Sequence, residues 1–103
     1  MIDLKVAEVC SAMLQGLGEP TRIQIIDILR GGSRHVTEIS RLMEEEVVNV
    51  SHHLGVLRDT GLVVTRKDGR FVIYSLNPSY FRNDASNTTC LELGWCRVEI
   101  AHH

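Results

Sequence analysis

Apolar residues recur at three- and four-residue spacing along the first third of the chain. Over residues 3–17, Val6, Val9, Cys10, Met13, Leu14 and Leu17 share one stripe, which predicts an amphipathic helix ending near Gly16 and Gly18. Pro20 suits the first position of a second helix, where its missing N–H costs nothing. Over residues 20–30, Ile23, Ile25, Ile26, Ile28 and Leu29 cover more than half the circumference, so this helix belongs at the centre of the core. Gly31-Gly32 stops it. Thr37 is placed to cap a short third helix carrying Ile39, Leu42 and Met43. After Glu44-Glu45-Glu46, residues 47–59 predict a fourth helix with Val50, Leu54 and Leu57 inward and Gly61 as its stop.

The period then changes. Residues 62–67 and 70–76 read as two strands around an Asp68-Gly69 turn, and Pro78 opens a short helix or turn through Tyr80-Phe81. Residues 83–89 are polar, and 90–100 become β-like again. Leu91 and Leu93 share one parity, whereas Cys96, Val98 and Ile100 share the other. A straight strand would put the two sets on opposite faces. A hairpin turning at Gly94-Trp95 in a type II′ turn resolves this, setting Leu93 opposite Cys96, Leu91 opposite Val98 and Glu92 opposite Arg97. The same register sends Cys90 and Cys96 to opposite faces. The division expected is a domain over 1–82 and a β-like tail over 83–103.

Composition narrows the class. A chain of 103 residues with 44% hydrophobic and 23% charged residues is an ordinary single globular domain, small enough that a second copy would help stabilise it. Its longest apolar run is four residues, Phe71–Tyr74, too short for a membrane span. Asp3, Lys5 and Glu8 interrupt what would be the apolar core of a secretory signal. Three cysteines make no disulfide framework, which points to a reducing, cytoplasmic setting. Net charge is −2, so bulk charge says nothing for nucleic acid. Its distribution does: Arg66, Lys67 and Arg70 cluster against a single Asp68.

Two short helices separated by a three- or four-residue turn, the second polar on its outer face, have the spacing of a helix-turn-helix. A basic hairpin directly after them makes that a winged helix, with one helix for the major groove and a wing for the neighbouring backbone. Here the chain resembles a family. Leu17-Gly18-Glu19-Pro20-Thr21-Arg22-Ile23 is similar to the opening signature of ArsR/SmtB-type repressors. So is Val50-Ser51-His52-His53-Leu54-Gly55-Val56-Leu57-Arg58-Asp59-Thr60-Gly61-Leu62-Val63, which looks like their recognition helix running into the wing. Arg66, Gly69-Arg70, Tyr74 and Leu76 match the wing pattern, and the likeness spans residues 15–81. The resemblance implies a mainly α winged helix-turn-helix: four helices, a β-hairpin wing, a short helix and a C-terminal β segment. It also implies a homodimeric repressor of an inverted-repeat operator in double-stranded DNA, released by a metal ion, arsenical or oxidant.

With Val50, Leu54 and Leu57 inward, Asn49, Ser51, His52 and Gly55 face outward, and short polar groups suit base edges and phosphates. These four, with Arg66, Lys67 and Arg70 on the wing, form the expected DNA-binding set. Gly55 costs a helix about 1 kcal/mol against Ala, consistent with close approach to a partner. His53 lies beside the inward stripe, where packing or a hydrogen bond explains it; adjacent histidines point about 100° apart and do not converge on a metal. Two features depart from the family. Glu44-Glu45-Glu46 favours the helix N-terminus but repels phosphate, and Val47-Val48 either touches thymine methyls or packs.

Inducer chemistry is less legible. A thiolate pair used in the family is replaced by His35-Val36-Thr37, and the pattern of a long C-terminal metal-binding helix breaks at Asn83-Asp84. Cys10, Cys90 and Cys96 remain as candidate thiols, with Cys10 also readable as a small buried hydrophobe; no cofactor is assigned. His102-His103 resembles a purification-tag remnant and carries no weight. The alternative function is a winged helix used for protein–protein contact, without an inducer. An enzyme is disfavoured, since no phosphate loop, paired carboxylate motif or nucleophile spacing occurs.

Overall fold

In the computed structural model, which describes residues 1–101, Asp3 accepts the Lys5 N–H at 2.7 Å and opens helix α1, Leu4–Leu17. The terminal histidine pair, 102–103, lies outside the described residues. Helix α2, Pro20–Arg30, begins with proline in its first turn and Glu19 as its cap. A two-residue strand β1, Arg34–His35, leads into α3, Val36–Met43, and then α4, Val47–Asp59. The third helix starts earlier than Thr37 predicts: His35 is the N-cap residue, and Glu38 accepts its backbone N–H at 3.1 Å. Pairing of β1 with the wing holds the chain extended up to His35, so the helix begins directly after it.

The wing is β2, Val63–Asp68, antiparallel to β3, Phe71–Leu76, with β1 on the other side of β3. Asp68 pairs with Phe71, so the loop residues are Gly69 and Arg70 rather than Asp68 and Gly69. Gly69 takes φ +63°, which a first loop position of this hairpin type demands of glycine. Arg70 therefore stands at the tip.

The short helix expected after Pro78 is instead a single turn. Asn77 accepts from the Tyr80 and Phe81 N–H groups, and its side chain from Ser79 N–H. Phe81 then enters strand β4, Phe81–Asn83, because pairing with Leu91 and burial of its ring outweigh continuation of the helix. A second sheet follows in the order β4-β5-β6, with β5 at Thr89–Glu92 and β6 at Arg97–Ile100. Its hairpin has the register read from parity: Leu91 opposite Val98, Glu92 opposite Arg97. Gly94 takes φ +87°, and the Leu93 N–H reaches Cys96 O at 2.9 Å. The Leu93 carbonyl accepts from the Cys10 thiol at 2.9 Å, which ties the hairpin to α1.

One core joins all of this. Ile25 and Ile26 of α2, Ile39 of α3 and Leu54 of α4 lie in the same cluster as Leu91 and Leu93 of the second sheet. Within the broad apolar surface of α2, Ile25, Ile26 and Leu29 face that core, while Ile23 stays exposed. Gly16 lets α1 approach α4 closely: a Cβ there would lie 3.0 Å from the Thr60 side chain.

Candidate nucleic-acid interface

Helix α4 is anchored from beneath by Val50, Leu54 and Leu57, none of which has any exposed surface. At about 100° per residue, the line farthest from those anchors runs through Val48, His52 and Gly55. Ser51 flanks it on one side and Asn49 on the other, and both are exposed with His52. Four of the residues singled out from sequence therefore share the outer face. Val48, left between contact and packing at that level, is 80% exposed and sits on the central line. An ideal Cβ at Gly55 meets nothing within 4 Å, so the fold of this chain does not require glycine there.

The turn before α4 sets its entry. Glu44 adopts the left-handed conformation at φ 54°, and its N–H returns to Arg41 O. Glu45 N–H reaches Ser40 O, while the Ser40 hydroxyl donates to Glu45 O. The acidic run is thus wound into the C-terminus of α3, with Glu46 capping α4.

A polar cluster fixes α4 from the side. The Arg22 guanidinium donates to Gly16 O and Gln15 O at the end of α1 and to His53 Nδ1 at 3.1 Å. Glu19 Oε2 accepts the Arg22 N–H at 3.0 Å and lies 3.6 Å from the same ring nitrogen. Burial pushes the Glu19 carboxyl up, but the Arg22 N–H, the charges of His53 and Arg22, and the Thr21 N–H together hold it below its ordinary value. His53 is a packing and hydrogen-bonding residue, turned away from the exposed face that His52 occupies.

On the wing, Arg66, Lys67 and Arg70 are exposed, and none forms an ion pair among the described residues. They do not point one way. Strand alternation puts Lys67 on the face of Val63 and Tyr74, and Arg66 on the face where Phe71 stacks on His35 at 4.9 Å. Arg70, in the loop, belongs to neither face.

The candidate thiols are separate. Cys10 is buried, Cys90 and Cys96 are partly buried, and all three are free. Cys90 pairs across the hairpin with Glu99, on the face opposite Leu91 and Leu93, whereas Cys96 packs against the core. Among the described residues no group of three or more His, Cys, Asp or Glu is placed to hold a metal ion. No described helix is long and apolar enough to cross a membrane.

Comparison with known proteins agrees with this geometry. The family model described as bacterial regulatory protein, arsR family, matches residues 19–65, from the cap of α2 into the wing. The HTH-type transcriptional regulator NmtR of Mycobacterium tuberculosis is 40% identical over 75 residues, covering 73% of this chain and 62% of that protein. The arsenical resistance operon repressor of Staphylococcus xylosus is 33% identical over 70 residues, covering 68% of this chain and 67% of the repressor. Among solved structures, the homodimeric winged helix-turn-helix DNA-binding domain Mb0332 of Mycobacterium bovis superposes with a TM-score of 0.69 at 27% identity, covering 77% of this chain and 75% of that one. The first two are named as a regulator and a repressor of transcription, and the third as a DNA-binding domain. With the helix-turn-helix, the wing and the sequence match in one continuous stretch, the chain belongs to the ArsR family of bacterial regulatory proteins.

Proposed function

We propose that this protein is a homodimeric, sequence-specific DNA-binding repressor, working in the cytoplasm and released from its operator by a metal ion, an arsenical or an oxidant. DNA binding rests on one observation: α4 presents an exposed outer face, followed directly by a wing bearing three cations that form no ion pair among the described residues. Asn49, Ser51, His52 and Gly55 face base edges and the floor of the groove; Arg66, Lys67 and Arg70 bind phosphates. Each phosphate neutralised contributes about −0.9 to the slope of log affinity against log salt. Selection from a random DNA pool, followed by titration at several salt concentrations, tests this. It should return an inverted repeat with half-sites about 10–10.5 bp apart, or a multiple, and a steep salt slope. Failure to enrich any sequence would favour the protein–protein alternative, with the Glu44–Glu46 turn facing a basic partner.

Dimerisation rests on α1. Val6, Val9 and Leu14 are 39%, 50% and 40% exposed, and Trp95 on the hairpin is 64% exposed. A second copy laid on this apolar surface would cover what one domain leaves wet. Replacing Val9 by Glu should yield a folded monomer by sedimentation and circular dichroism, with weakened binding to the full operator. Release rests on thiols. Cys10 borders a pocket of about 440 Å³ lined also by Leu14 and Trp95, and it holds the hairpin to α1. Cys90 and Cys96 are the other thiols open to the same chemistry. Operator binding by a protein carrying Cys10→Ala, Cys90→Ser and Cys96→Ser together should no longer respond to arsenite, cadmium or peroxide.

A further inference from the structure

We infer that Val48 is a specificity-determining residue of α4, reading the 5-methyl group of a thymine in the major groove; this rests on the DNA-binding reading above. Val48 is the second residue of the helix and is 80% exposed. Its neighbour Val47, 43% exposed, is turned about 100° toward the core side, so the two valines are not equivalent. Neither local structure nor packing accounts for Val48. A β-branched residue is a poorer helix former than alanine at an exposed position, and this one buries little in its own chain.

What the side chain supplies is a rigid apolar surface. Valine in a helix holds essentially one rotamer, so its methyls stand in fixed positions and lose little freedom on contact. Major-groove base edges present hydrogen-bonding groups, and thymine adds an apolar one, its C5 methyl. Charge favours a base edge over the backbone at this place. Glu44, Glu45 and Glu46 directly precede the helix, and acidic groups in this turn disfavour a phosphate contact at its first residues. His52 lies one turn further along the same line, so Val48 and His52 read neighbouring positions of a half-site.

The test uses the enriched operator with each thymine replaced in turn by 2′-deoxyuridine, which removes only the methyl. Wild-type protein should lose about three- to fivefold in affinity when one half-site is changed at this position, and about nine- to twenty-fivefold when both half-sites are changed. The Val48→Ala protein, whose fold is checked by thermal melting, lacks the two γ-methyls and should show a clearly smaller loss than wild type at that position. Uniform affinity of wild type for every deoxyuridine operator would overturn the assignment, as would an equal loss in the Val48→Ala protein. An enriched operator insensitive to deoxyuridine leaves DNA binding standing and removes Val48 from recognition. Failure to enrich any DNA sequence overturns DNA binding and this assignment together.

Discussion

Gly55 and Glu19 show how single residues divide between fold and function. Space around Gly55 is open, so alanine there gains helix propensity with no clash in the free protein. The Gly55→Ala protein should be more stable by about 0.5–1 kcal/mol in denaturant titration, yet bind its operator more weakly because the methyl holds the helix off the groove. Unchanged affinity would mean that nothing approaches α4 at this point. Glu19 belongs to the fold. Its carboxyl titrates lower in the folded chain than in the unfolded one. The unfolded state therefore binds the proton more readily. The cap's contribution is complete above the ordinary glutamate value, about 4.3, and disappears as pH falls through the lower folded value. A Glu19→Gln protein should lose stability at neutral pH and show a shallower fall below pH 4.3, measured by denaturation across pH 2–7. An unchanged acid limb would remove Glu19 from the account.

At the scale of elements, the wing and the recognition helix make separable predictions. Arg70 stands in the two-residue loop, exposed and without an ion pair among the described residues. Arg70→Ala should weaken binding to all sequences alike and reduce the salt slope by about one unit. His52→Ala should instead change which operators are preferred. Double alanine substitution at Ser51 and His52 that left operator affinity intact would remove α4 from base recognition. The four helices and the wing were legible because each repeats a pattern longer than one turn or one strand pair. The pattern predicts helix α4 over 47–59, and the helix runs Val47–Asp59. Two strands were not legible. Arg34–His35 is too short to show alternation, and it is a strand only because β3 lies beside it. Phe81–Asn83 followed a proline and looked like a turn or helix until its partner, Leu91, came from ten residues further on.

For the whole molecule, the second sheet and the winged helix share a core. Leu91 is fully buried, and Cys10 of α1 donates to the carbonyl of Leu93. Truncating Leu91 to alanine should cost about 2–5 kcal/mol and move a single unfolding transition, followed by circular dichroism and Trp95 fluorescence together. Two separated transitions, with the helices melting as in wild type, would show that residues 83–101 fold apart from the rest.

The residue pattern alone determined the inward face of α4, the basic hairpin, the tail register and seven of the outward or wing positions. Helical and strand periods are local, so side-chain parity and spacing suffice to state them. Tertiary structure decided what locality cannot reach. It separated Val48 from Val47, because exposure depends on which neighbours arrive from α3 and the acidic turn. Arg22 became the link between the end of α1 and His53 across 31 residues, a hydrogen bond that no periodicity encodes. Arg70 moved to the tip of the wing, since the two-residue loop follows from the pairing of Asp68 with Phe71. Cys10 was joined to Leu93, 83 residues away. Such contacts depend on how helices and sheets pack on a common core, and that packing is set by the shape of all the buried side chains together.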